Sequence, residues 1–191
     1  CYNCSKSILE DVSFKGFSSS YGAQFSNSNV ETEATLKNLT IRNNLIGLNI
    51  FGTTCSIYSA KIDSNQRGIN FSSGSGDDLN ITNVVFRDNG KEDVGSALYI
   101  EQGNTESNVI IDSCEFINNS SSNRGAAIFS KHNDLSVNKT LFTGNYAPQG
   151  GSAIYIDEKN VGQATVENSL FIANNSGNYI GSTIRTKSGM D

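Results

Sequence analysis

The chain has 191 residues, enough for one domain with a core of its own. Only 36% of it is hydrophobic, with 18 Gly, 25 Asn, 27 Ser, a single Pro and no Trp, and it is poor in the residues that fill helices, which excludes a helical bundle. A net charge of −5 without a basic run argues against nucleic acid or an anionic membrane as a partner, and no apolar stretch approaches the roughly 18 residues of a membrane span.

In chain order, Cys1 opens the sequence without a charged-then-apolar signal segment, so the chain reads as part of something longer. Cys1 and Cys4 stand in Cys-Tyr-Asn-Cys, a spacing shared by redox and metal motifs that one pair does not establish. Residues 1–5 are therefore expected to be the end of an upstream disulfide-bearing region, and 6–191 a repeat domain. The first copy of the repeat is Leu9, Val12, Phe14, Gly22 and Phe25, with Phe17 where later copies place Asn. The second runs through Ala34, Leu36, Ile41, Asn44, Gly47 and Ile50, and the third through Cys55, Ile57, Ile62, Asn65, Gly68 and Phe71. The fourth holds Leu79, Ile81, Phe86, Asn89, Gly95 and Leu98; the fifth Val109, Ile111, Phe116, Asn119, Gly125 and Ile128. Leu135, Val137, Phe142, Asn145, Gly151 and Ile154 make the sixth, and Ala164, Val166, Phe171, Asn174, Gly181 and Ile184 the seventh.

Within each copy the apolar residues alternate, as in Leu79-x-Ile81, which is the period of a strand. The copies recur at 21 to 30 residues, each with about three short strands. A unit of that size cannot bury its apolar face alone, so successive units must stack, each strand pairing in parallel with its counterpart about 4.8 Å away. The expected fold is all-β, a single-stranded right-handed parallel β-helix of about seven rungs and roughly 34 Å, its hand following that of parallel crossovers. The Asn column, Asn44, Asn65, Asn89, Asn119, Asn145 and Asn174, is expected to be structural: Asn tolerates left-handed turn angles, and stacked amides bond along the rod. Leucine-rich repeats are the rival, since residues 36–44 fit their pattern. The other copies break it with Ala60, Val84, Cys114, Thr140 and Ser169 at the second leucine position.

The segments Phe86-Arg-Asp-Asn89, Phe116-Ile-Asn-Asn119, Phe142-Thr-Gly-Asn145 and Phe171-Ile-Ala-Asn174 are paired with Gly95-Ser-Ala-Leu98, Gly125-Ala-Ala-Ile128 and Gly150-Gly-Ser-Ala-Ile154. This combination resembles the repeats of polymorphic outer-membrane proteins, the chlamydial autotransporter passengers and their relatives on protist surfaces. The resemblance covers the last four rungs well and the first three weakly. It implies a surface-displayed, non-catalytic rod used in adhesion or as a structural stalk.

Pectin-cleaving enzymes are also parallel β-helices, and Asp77, Asp78, His132, Arg185 and Lys187 are superficially similar to their catalytic groups. Counting rungs separates them by about 10 Å per step and about 19 Å end to end, too far for an acid and base that must flank one bond. Glu92, Asp93, Asp157 and Glu158 are scattered among turns instead of converging on a calcium ion, and no Cys/His group suggests zinc. Neither a cofactor nor a metal is expected. Cys55 and Cys114 fall in interior columns about two rungs apart, beyond the roughly 7 Å a disulfide allows, and read as core thiols.

Of eight N-glycosylation sequons, Asn38, Asn70, Asn80, Asn118 and Asn138 are expected to face outward or sit in turns and to be able to carry glycan. Asn3 precedes the repeat, and Asn119 and Asn174 belong to the amide column. The residue after the inward apolar residue of the third strand should point outward. Down the rod it includes Phe51, Tyr99, Phe129 and Tyr155, an aromatic stripe that either supports the sheet or binds a sugar chain or protein neighbour. Replacing Tyr99 and Tyr155 by Ser is then expected to spare the fold and abolish binding. Neither end looks capped, which raises end-to-end stacking into a filament. The function expected is a glycosylated, extracellular or cell-surface scaffold for adhesion or structure, with glycans, copies of itself or neighbouring surface proteins as partners. The alternatives are a filament subunit and a polysaccharide-binding or pectin-lyase-like protein.

Overall fold

The computed structural model describes residues 6–26, 32–73, 76–90, 92–101, 107–131, 134–157, 163–177 and 182–187. Three parallel sheets of seven strands wrap one core, and each rung gives one strand to each sheet. The first sheet runs from Lys6–Glu10 to Ala164–Glu167, the second from Ser13–Lys15 to Leu170–Ile172, and the third from Tyr21–Ser26 to Ile184–Lys187. This is the parallel β-helix that the repeat predicts.

The columns of the repeat become columns of the core. In the first sheet Ala34, Cys55, Leu79, Val109 and Leu135 lie in register, as do Leu36, Ile57, Ile81, Ile111 and Val137, all buried. The second sheet contributes Ile41, Ile62, Phe86, Phe116, Phe142 and Phe171. The four Phe rings stack with centroids 4.6, 5.0 and 4.8 Å apart, close to the spacing of paired strands, so one sheet register serves backbone bonding and ring contact together. Cys55 and Cys114 are buried free thiols, and burial pushes both up to about 12.

The amide column forms one ladder. Asn89 Oδ1 accepts from the backbone N–H and the Nδ2 of Asn65, both at 3.1 Å, while Asn89 Nδ2 donates to Ile62 O at 2.8 Å and to Asn119 Oδ1 at 3.0 Å. The same bonds run through Asn44, Asn65, Asn119, Asn145 and Asn174. The reason expected for these asparagines needs correction: none has a positive φ. The left-handed residue is the one before it, Asn43, Ser64, Asp88, Asn118, Gly144 or Ala173, with φ between 51° and 65°. The ladder position requires an amide because only an amide both accepts and donates along the axis and bonds a carbonyl of the neighbouring rung. In the first rung Gly16 takes the left-handed place, and Phe17 keeps only the backbone part by donating its N–H to Asn44 Oδ1.

The third sheet departs from the expected register. Ile50 and Phe71 pair with Ile100, whereas Leu98, Ile128 and Ile154 continue Leu48 and Ile69. The connection from ladder to sheet lengthens between rungs three and four: Leu48 follows Asn44 by four positions, but Leu98, Ile128 and Ile154 follow their ladder asparagines by nine. Aligning the glycines instead of the strands therefore shifts the first three rungs by two residues. Gly47 and Gly68 belong with Ala97, whose carbonyl a Cβ on Gly68 would approach to 2.5 Å. Gly95, Gly125 and Gly151 lie earlier, in the added connection.

Candidate functional site: the outer faces and the arch layer

The corrected register places Tyr99, Phe129 and Tyr155 in one outward column with Asn49, Asn70 and Arg185. Phe51 lies in another column, with Ser72, and is 48% exposed. The three aromatics are stacked, with centroids 5.6 and 5.3 Å apart, but they form no exposed stripe: Tyr99 is 8%, Phe129 4% and Tyr155 0% exposed. The added residues of rungs four to six fold back over the rings as arches and make a second, smaller core outside the sheet, with Val94 packed against it. Gly95, Gly125 and Gly151 make that fold-back possible. Each has φ near 60°, and a Cβ there would stand 2.8 to 3.0 Å from the Cβ of the aromatic beneath. Successive arches bond to one another, Gly95 N to Gly125 O at 3.0 Å and Ala97 N to Ala126 O at 3.1 Å.

Arg67 closes this layer where the short connections end. Its guanidinium sits 4.5 Å from the centroid of Tyr99, and its Nη2 donates to Glu92 Oε2 at 3.3 Å and Val94 O at 3.1 Å. Burial lowers its proton affinity, and Glu92 opposes that shift. Lys131 lies 5.3 Å from the same ring, its ammonium held up first by the Tyr99 hydroxyl and also by Glu101, its ion-pair partner at 3.6 Å. Arg124 covers Tyr155 at 5.3 Å, and Arg185 Nη1 donates to Gln149 O in the arch. Arg67 was absent from the residues singled out by the repeat, and the glycines Gly95, Gly125 and Gly151 were singled out without the arches that they make. The signal available was the nine-residue spacing together with an aromatic directly after each Leu98, Ile128 and Ile154.

The described residues among those weighed for catalysis are not brought together. Asp78 enters the first sheet at rung four, where its Oδ1 accepts from the N–H and Nδ2 of Asn108; Asp77 precedes it, buried. Arg185 and Lys187 lie on the third sheet at rung seven. Glu92 is engaged by Arg67, Asp93 Oδ1 accepts from Ser122 Oγ, and Asp157 lies in strand register with Lys187 in the third sheet. No group of three metal-ligating side chains occurs among the described residues. Cys1, Asn3, Cys4, His132, Glu158 and Gly181 lie outside the described residues.

Of the sequon asparagines, Asn38 and Asn118 are exposed and left-handed at corners between sheets, and Asn80 is half-buried in the outward column of the first sheet. Asn70 Nδ2 is committed to Asn49 Oδ1 at 2.8 Å. Asn138 is committed twice, donating to Asp112 at 2.7 Å and accepting from Asn168 at 2.9 Å. Ser113 and Asn138 hold the Asp112 carboxyl below its usual range. Outside the first sheet at rungs five to seven runs an open groove of about 260 Å³ lined by Asn108, Ile110, Asp134, Ser136, Gln163 and Thr165.

A family model described as a right-handed β-helix region matches residues 1–142. The chain belongs to the right-handed β-helix family. Within this β-helix, residues 139–157 match the Chlamydia polymorphic membrane protein repeat. That stretch contains Phe142-Thr-Gly-Asn145 and Gly150-Gly-Ser-Ala-Ile154, so the matched repeat is one inner Phe, one ladder amide and one complete arch over Tyr155. No curated protein and no solved structure matches the chain. Among the described residues no helix is long and apolar enough to cross a membrane.

Proposed function

We propose that this β-helix is a section of a non-catalytic rod displayed at a cell surface or outside the cell, where it serves adhesion or surface structure. The observation that carries the reading is the polymorphic membrane protein repeat falling on the second- and third-sheet strands of one rung together with its ladder amide and arch. The dispersal of Asp78, Arg185 and Lys187 over different sheets and rungs supports a non-catalytic role. Asn38 and Asn118, exposed and with amides engaged in no side-chain bond described above, are the sequons best suited to carry glycan. Particles coated with the purified chain should bind a cell or matrix surface that uncoated particles do not, and the chain should leave uronate polymers intact in the presence of calcium. Depolymerisation, or coated particles that bind no better than bare ones, overturns the reading. Intact mass before and after removal of N-linked glycans tests the modification.

A further inference from the structure

The outer charge of the rod is divided between two sheets. On the first sheet, outward residues of rungs one and two balance, Lys6 and Lys37 against Glu10 and Glu33. From rung four onward that face carries Asp78, Asp112, Asp134 and Glu167 with no outward cation on any of its strands. The second sheet has the opposite arrangement. Its rungs one to four present Lys15, Arg42, Lys61 and Arg87 against Asp63, rung five presents Glu115, and its last rungs present Leu141, Leu170 and Ile172. All four cations are exposed, and none makes an ion pair with another described residue. The corner residues Asp11, Asp88 and Lys139 stand at the margins of these faces and leave the contrast in place.

We infer that the first sheet of one copy docks against the second sheet of a neighbouring copy, with the rods antiparallel. Antiparallel packing brings the acidic half of one face, rungs four to seven, over the basic half of the other, rungs one to four. It also brings Leu170 and Ile172, 57% and 47% exposed, over Ile8, 63% exposed, at the near-neutral end of the first sheet. Two first-sheet faces repel each other, so the contact is heterologous. The pair keeps one free face of each kind, and association is open-ended. The faces are small: a strand of five residues over seven rungs spans about 17 by 34 Å, less than the roughly 800 Å² per partner of a stable complex. The contact is therefore weak and salt-sensitive in solution and becomes significant where rods are crowded side by side. It deepens the proposed scaffold role by naming how rods pack. A chain that fails to associate but still binds surfaces sinks this inference alone.

Sedimentation velocity of the intact chain tests it, run over a concentration series at about 10 mM ionic strength, where charges act over roughly 30 Å, and at about 1 M, where they act over roughly 3 Å. Average mass should rise with concentration at low salt, at least doubling at the top of the series, and remain that of a monomer at high salt. Arg42→Glu with Arg87→Glu, and separately Asp134→Lys with Glu167→Lys, should each give a monomer at low salt. Mixing the two variants should restore association, because each then meets a face of opposite charge. These side chains point outward. If a variant loses the parent's β-sheet circular dichroism, Lys15→Glu with Lys61→Glu replaces the second-sheet pair and Asp78→Lys with Asp112→Lys the first-sheet pair. A parent that is monomeric at low salt, a folded variant that associates like the parent, or a mixture that stays monomeric overturns the inference.

Discussion

Rungs two and three and rungs four to six share the same amide ladder and the same three-sheet core, yet they differ in what covers the third sheet. In the early rungs a spacing of four positions from the ladder Asn to the inward sheet residue leaves Asn49 and Asn70 half-buried and bonded to each other. In the later rungs that spacing grows to nine positions, and the added residues arch over Tyr99, Phe129 and Tyr155 and bury them. The same column of the same sheet is thus a polar outer surface at one end and a second core at the other. The difference teaches that the inner columns and the ladder define the fold, while the connection length decides whether an outward column belongs to the surface.

The largest effect should fall on what the two regions share. Asn89→Ala removes four hydrogen bonds, taking the side-chain partner from the buried Asn65 N–H and Ile62 O and leaving Asn65 Nδ2 and Asn119 Oδ1 one bond short. At roughly 1 to 3 kcal/mol for each orphaned group, urea unfolding should show a loss of about 3 to 5 kcal/mol. Asn65→Ala and Asn119→Ala should cost the same within about 1 kcal/mol, one on each side of the boundary. If Asn65→Ala costs less than half as much, the ladder is not a common frame and the comparison fails at its base.

Next comes the column that separates the regions. Tyr155→Ala empties a fully buried ring position under an arch and should cost about 3 to 5 kcal/mol. Asn70→Ala in the same column loses one half-buried bond and should cost under about 1.5 kcal/mol. Tyr99→Ser and Tyr155→Ser, expected from the sequence to spare the fold, should instead destabilise it. Equal costs at positions 70 and 155 in thermal or urea unfolding would erase the distinction.

The inner columns were legible because apolar residues recur every second position and Asn follows the inner Phe or Ile at a constant distance. Neither pattern depends on what the connections do. The third-sheet register was misread because Gly47 and Gly68 look like Gly95, Gly125 and Gly151, although they serve different needs. The first two admit the backbone of the next rung, and the other three let an arch lie on a ring. Alternation told that Tyr99 points away from the central core, but not that the lengthened connection returns to cover it. The ladder residues were found for a reason that belongs to their neighbours, since Asn in a turn suggests left-handed angles and the angle sits one residue earlier.

A smaller effect marks the boundary between the regions. Arg67 and Glu92 have side chains 15% and 28% exposed, so Glu92→Gln should cost at most about 1 kcal/mol and leave Arg67 stacked on Tyr99 and bonded to Val94 O. Arg67→Ala removes the stacking contact as well and should cost more. Comparing the two variants by thermal unfolding tells whether ion pair or stacking closes the arch layer, and a Glu92→Gln loss equal to that of Arg67→Ala would assign it to charge.

The smallest difference is expected at the two core thiols, one in each region. Cys55 in rung three and Cys114 in rung five are buried, and an unfolded thiol ionising near 9 is pushed up to about 12 in both. Holding a thiol neutral favours the folded state fully below pH 9. That contribution is lost as pH rises from 9 toward 12, because the unfolded chain releases a proton that the folded chain retains. At pH 8 the native protein should therefore react with iodoacetamide at neither thiol, and site-resolved mass spectrometry should show both alkylated together only when urea unfolds the chain. Solenoids can open rung by rung, so this equality is a demanding expectation. It follows from the continuous ladder, which ties rungs two to seven whatever lies over the third sheet. Labelling of Cys55 more than about tenfold faster than Cys114 would mean that an opening difference near 1.4 kcal/mol exists, and that the arches stabilise the central core as well as their own aromatic layer.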